Sequence, residues 1–221
     1  MSLAASAAAS DTAIEQRTVS GIERVVMGTT GELVIRQGAS ESLQIESEAR
    51  LLPKIASEVR DGTLHLHFRT PQASTTYPLV FRLTVKQLES LDSTASADVH
   101  IGALRSEDFV LTLGGSGDIA VDALEARSLE ARLSGAGTIS IGGGRVDRQI
   151  LLLEGAGDYF AGGLASRHAE IDIDGSGTAT VHAGERLVVR IAGSGDVLYH
   201  GTPRIDEQIS GAGSVQPAGS R

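Results

Sequence analysis

The chain has 221 residues, of which 27 are glycine, none is cysteine or tryptophan, and only seven are Phe or Tyr, with a formal net charge of −9. Glycine without a three-residue period and with only five prolines excludes collagen, and an apolar fraction of 41% is too high for a disordered chain. With 19 Lys+Arg against 28 Asp+Glu the chain lacks the clustered positive charge of a nucleic-acid groove, and no run reaches the ~18 apolar residues of a membrane-spanning helix.

The first residues, MSLAASAAASDTAIEQR, are small and polar and lack a basic start and an apolar stretch, so residues 1–13 read as a disordered leader or the remnant of an export signal. From residue 14 to 92 strand signals succeed one another: ERVVMG, GELVIRQG, SLQIES, TLHLHF and YPLVFRLTV. Asp61-Gly62 marks a tight turn between two of them. These segments are expected to form an irregular β portion capping one end of the remaining chain, because a bare terminal strand is adhesive.

Residues 93–217 form a repeat. Gly-small-Gly triplets begin at Gly115, Gly135, Gly155, Gly175, Gly193 and Gly211, with spacings of 20, 20, 20, 18 and 18, and a degenerate ASADV copy starts at Ala95. Two residues before the triplets stand Leu113, Leu133, Leu153, Ile173, Ile191 and Ile209, and apolar alternation resumes after them, as in Ile119 and Val121 or Ile139 and Ile141. Such a unit is too short for a βαβ crossover or a propeller blade. The pattern predicts an all-β fold: a right-handed, single-stranded parallel β-helix of 18 to 20 residues per coil, with inward ladders of aliphatic side chains in a core too narrow for many rings. Residues 218–221 form a tail.

The corners would be built by Gly115, Gly117, Gly135, Gly137, Gly155, Gly157, Gly175, Gly177, Gly193, Gly195, Gly211 and Gly213, which a sharp bend with positive φ demands, with a middle Ser or Ala where a longer side chain would clash with the coil above. The residue after each triplet runs Asp98, Asp118, Thr138, Asp158, Thr178, Asp196, Ser214, so charge largely alternates with neutrality along the ladder. Asp98, Asp118, Asp158 and Asp196 are calcium candidates, since carboxylates and corner carbonyls are hard oxygen ligands, but solvated turn residues are the simpler reading. His65 and His67 share one strand face and His182 and His200 occupy equivalent coil positions, yet neither pair has a third ligand, so exposed strand histidines are expected. A carbohydrate-cleaving β-helix would use Asp98, Asp118 or Asp158 with Arg127 or Arg148, but the chain lacks the long insertions that build a cleft. No catalytic residue and no cofactor is assigned, and Tyr77, Tyr159, Phe160 and Tyr199 are too scattered for a binding platform.

The segments LVIRQGASESLQIES and DGTLHLHF, succeeded by repeated LSGAGTI and IAGSGDV coils, resemble the DUF2807 family, the "putative auto-transporter adhesin, head GIN domain". The resemblance covers roughly Ile14 to Pro217. It implies a bacterial exported protein with β-helical structure and an adhesin-like role. A regular stack without a cleft points to a non-enzymatic protein of the periplasm, outer surface or medium whose faces meet a surface glycan or an envelope protein, with room for an oligomer. A carbohydrate-active enzyme and an envelope sensor or accessory domain are the alternatives.

Overall fold

The computed structural model describes residues 12–70 and 78–219. Most of the leader, Tyr77 and the last two residues of the tail lie outside the described residues. The first strand nevertheless starts at Thr12, inside the stretch read as leader. The strands in chain order are β1 (Thr12–Arg17), β2 (Arg24–Met27), β3 (Gly31–Gln37), β4 (Ser42–Glu48), β5 (Ile55–Arg60), β6 (Thr63–Phe68), β7 (Val80–Val85), β8 (Ser90–Ser93) and β9 (Ala97–Arg105). The repeat region supplies β10 (Asp108–Leu113), β11 (Ile119–Leu133), β12 (Thr138–Ile141), β13 (Gly144–Leu153), β14 (Asp158–Gly175), β15 (Thr178–Gly193), β16 (Asp196–His200), β17 (Arg204–Gly211) and β18 (Ser214–Pro217).

The fold is a parallel β-solenoid. Alternation of apolar and polar residues puts every second side chain inside, as in β10, where Phe109, Leu111 and Leu113 are buried and Asp108, Val110 and Thr112 are half-buried. In-register pairing then stacks equivalent residues of successive coils about 4.8 Å apart. One inward ladder runs Leu113, Leu133, Leu153, Ile173, Ile191, Ile209, and the facing one runs Val99, Ile119, Ile139, Tyr159, Ala179, Val197, Val215. Each fully buried aliphatic side chain contributes about 1.5–3 kcal/mol. The core is not closed to rings: Tyr159 is wholly buried, beside the small Ala179 of the next coil, and its hydroxyl meets Gln149 Nε2 at 2.5 Å. Burial pushes the Tyr159 phenol far above its ordinary pKa.

The corners correct the sequence reading in two respects. Only Gly193 (φ 143°) and Gly211 (φ 155°) among the triplet glycines have positive φ. What forbids a side chain is the coil beneath: a Cβ on Gly115, Gly117, Gly135 or Gly137 would sit 1.8–2.0 Å from a backbone carbonyl oxygen of the neighbouring coil. The middle residues Ser116, Ala136, Ala156, Ser176, Ser194 and Ala212 point outward and are exposed, so the coil above does not limit their size.

Parallel stacking begins at Arg24, well before the visible repeat. β2 lies between β6 and β8, and β3 lies between β7 and β9, all parallel. The coil made by residues 24–37 is thus sandwiched between the layer that holds β6 and β7 and the layer that holds β8 and β9, and the order of layers differs from the order of the chain. Beyond β6 and β7 the amino-terminal end is closed by antiparallel strands: β5 on β6, β4 on β7 and β1 on β4. The β5–β6 hairpin turns at Asp61 (φ 48°) and Gly62 (φ 76°), the two positive φ values of a type I′ turn. Arg17 fastens the cap, donating to the carbonyls of Leu52 and Ile55, each at 2.8 Å, and to Ser57 Oγ at 2.9 Å. At the other end, among the described residues, β17 pairs only with β15 and β18 only with β16, which leaves one edge of each unpaired.

Candidate functional site

The residues after the triplets form a hydrogen-bonded column up one corner of the stack. Asp98 Oδ1 accepts from the backbone N–H of Asp118 (3.1 Å), Asp118 Oδ1 from that of Thr138 (2.8 Å), and Asp158 Oδ1 from that of Thr178 (2.8 Å), while Asp196 Oδ1 accepts from the Ser214 hydroxyl (2.6 Å). Asp98, Asp118 and Asp196 are exposed and Asp158 is half-buried, so they are turn residues that bond the next coil while remaining open to solvent. Each carboxylate that was a calcium candidate has one oxygen committed to satisfying a donor of the next coil, a stabilising charge-assisted bond. Among the described residues no group of three or more His, Asp or Glu side chains is arranged to hold a metal ion.

Of the residues proposed for cleavage chemistry, Asp98 and Asp118 stack on neighbouring coils, but neither Arg127 nor Arg148 forms an ion pair with Asp98, Asp118 or Asp158. Asp118 immediately precedes β11 and Arg127 lies well along it; Arg127 pairs with Asp108 and with Glu107 (3.7 Å), and Arg148 pairs with Glu170 (3.0 Å). His182 and His200 are in register, but their rings meet edge to face with centroids 6.4 Å apart. His65 and His67 are half-buried on β6.

A recess of about 920 Å³, open to solvent, lies where the chain passes the sandwiched coil. Leaving β7 at Val85, the chain must climb two rungs, about 9.6 Å, to enter β8. Gln37, the last residue of β3, ties this crossing down: its Nε2 donates to the carbonyls of Lys86 (3.1 Å) and Arg105 (3.0 Å), and its Oε1 accepts from the backbone N–H of Arg105 (2.9 Å). One amide thereby brings the backbones of Lys86 and Arg105, on either side of the sandwiched coil, to one lip of the groove.

The other charges around the groove are largely matched. Arg24 reaches Glu89 (3.5 Å) and Glu23 (3.6 Å), Arg132 reaches Glu130, and Arg127 holds Glu107 and Asp108. The hydroxyl of Ser128, donating to Asp108, and the Arg127 guanidinium hold that carboxyl below its usual range. Lys86 and Arg105 are exposed and form no ion pair among the described residues, although Lys86 is near enough to Glu41 to help lower its pKa, which is set first by the N–H of Ile22. Sequence reasoning missed this site because Gln37, Lys86 and Arg105 belong to different parts of the stack whose proximity results from the layer order. The one local signal was the polar Lys86, Gln87, Glu89 and Ser90 after β7, interrupted by the buried Leu88.

A second recess, about 800 Å³, lies on the face of β11, β12, β14 and β15 around Phe160, which is 44% exposed, over Gly142, Gly162 and Gly163. Phe160 is its one exposed large apolar side chain among the described residues.

The architecture and the repeat agree with one family model, "Putative auto-transporter adhesin, head GIN domain", which matches residues 23–203. The chain belongs to the DUF2807 family. A solved structure, that of a putative adhesin from Bacteroides fragilis NCTC 9343, superposes with a TM-score of 0.89 at 23% identity, covering 94% of this chain and 97% of that one. A putative lipid binding protein from Parabacteroides distasonis ATCC 8503 gives 0.75 at 21% identity, with 94% and 97% covered. A putative adhesin from Parabacteroides merdae ATCC 43184 gives 0.73 at 18% identity, with 94% and 96% covered. At these identities the likeness is one of fold. No curated protein matches this chain. No helix among the described residues is long and apolar enough to cross a membrane.

Proposed function

We propose that this DUF2807 domain is an exported, non-enzymatic protein that attaches to surfaces or organises the cell envelope through the outer faces of its solenoid. The observation that carries this reading is the combination of a stack fixed rung by rung with recesses that are open rather than enclosed. A stiff scaffold holding shallow, polar surfaces favours recognition of an extended partner such as a surface glycan or an envelope protein. Membership of an adhesin-described family supports the same direction.

Catalysis on sugars would need a carboxylic acid kept protonated near neutral pH beside a second, ionised carboxylate. In the groove the pressure runs the other way: Asp108 is held ionised and shares Arg127 with Glu107. The test is to couple the chain to beads and measure retention on immobilised glycans, matrix proteins and isolated bacterial envelopes against albumin-coated beads, with fractionation of the producing cells to locate the protein. Retention above the albumin background and an exported pool are expected. Background retention on every surface, or a purely internal pool, would overturn the reading.

A further inference from the structure

We infer that the groove beside the sandwiched coil is a binding site for an acidic saccharide, a glycan whose sugars carry carboxylates. The inference rests on the surface-attachment reading above and names the partner of that surface. Its basis is the pattern of matched and unmatched charge. Around the groove Arg24, Arg127 and Arg132 are each engaged by a carboxylate, whereas Lys86 and Arg105 are exposed, form no ion pair among the described residues and are brought to one lip by the Gln37 amide. In a chain of net charge −9, two such cations at one lip of this recess form a local anion site inside a repelling field.

The neighbouring groups decide which anion. Glu89, Glu107 and Asp108 line the same recess, and carboxylates accept hydroxyl protons strongly while repelling a second concentrated negative charge. Gln87, Ser90 and Ser106 add groups that both donate and accept. A uronic acid fits this mixture, with one carboxylate for Lys86 and Arg105 and several hydroxyls for the acceptors. A phosphate or an anionic membrane does not: each brings dense negative charge and no hydroxyl array, and the recess offers Val110 as its one aliphatic residue rather than an apolar wall for acyl chains. A volume of about 920 Å³ is at the upper end of small-ligand sites and suits a short oligosaccharide lying along an open groove.

The experiment titrates the full chain by calorimetry with oligogalacturonate, oligoalginate and hyaluronan fragments, with neutral gluco-oligosaccharides of matched length, and with phosphatidylglycerol vesicles. At least one acidic oligosaccharide should bind at least tenfold more tightly than the neutral series, and 0.5 M salt should weaken it. Lys86→Ala with Arg105→Ala should reduce that affinity at least tenfold while the melting curve stays unchanged, because both side chains extend into solvent; Arg204→Ala, an exposed cation elsewhere, should leave it intact. Equal affinity for neutral sugars, no response to the double variant, an equal loss in Arg204→Ala, or binding to the vesicles alone would overturn the assignment. If no acidic sugar binds yet the beads still adhere to an envelope or matrix, this inference fails and the attachment reading stands. If the beads do not adhere either, both fail.

Discussion

Replacing Gly135 by Ala adds one methyl group at a corner that has no space for it. Its Cβ would lie 1.8 Å from Gly115 O, where ordinary contact begins at 3.4 Å, so the two coils must part locally by more than 1 Å. At that separation the Ser134 N–H bond to Leu113 O (3.1 Å) and the Thr138 N–H bond to Asp118 Oδ1 (2.8 Å) are lost or badly stretched. A neutral hydrogen bond contributes about 0.5–1.5 kcal/mol and one to a charged group about 1.5–3 kcal/mol. Overpacking that is relieved by backbone movement costs about 1–3 kcal/mol. Because relief of the clash and loss of the bonds overlap, we expect about 3–5 kcal/mol, a large share of the 5–15 kcal/mol typical of a domain. Urea denaturation monitored by circular dichroism measures it. Ala136→Glu, at the exposed middle position, should change stability by no more than about 0.5 kcal/mol. If Gly135→Ala is as stable as the parent, or Ala136→Glu is as damaging, steric contact between coils is not why glycine stands there.

Hydrogen bonds from Arg190 and then Arg148 hold the Glu170 carboxyl below its ordinary 4.5. A carboxyl whose folded pKa is depressed contributes stability above its unfolded pKa, and that contribution is lost as the pH falls from about 4.5 through the lower folded value. Glu170→Gln should therefore flatten the acid side of a melting-temperature profile; a profile parallel to that of the parent would show that the bridge contributes nothing. On β17 the inward ladder reads Ile205, Glu207, Ile209 where β15 has Leu187, Val189, Ile191. Glu207 thus puts a charge in the last apolar row, as protected sheet edges do. Glu207→Val should make the chain associate with rising concentration in light scattering, and a variant that stays monomeric would refute this protective role.

The repeat made most of the solenoid legible, because stacking in register converts a chain period of 18 or 20 residues directly into ladders. The Asp61-Gly62 hairpin was equally readable, since its turn is encoded by two adjacent residues. The amino-terminal coils were not. The layer at residues 24–37 turns its corner with Gly28-Thr29-Thr30-Gly31 rather than a Gly-small-Gly triplet, and its neighbours on both sides come from later in the chain. Periodicity reports only contacts between consecutive repeats. The groove was hidden for the same reason, its lip being assembled by a Gln37 amide that bonds backbone 49 and 68 residues away. The corner glycines were recognised but for a partly mistaken reason: space beneath the carbonyl, more than φ, fixes most of them.

The sandwiched layer also constrains how the molecule can be made. During translation residues 24–37 emerge before either neighbouring layer, and one edge must wait for β6 and β7 while the other waits for β8 and β9. Deleting the chain up to Gly38 would not shorten the column from its tip; it would pull out an interior course and leave the two flanking courses without the surface that joins them.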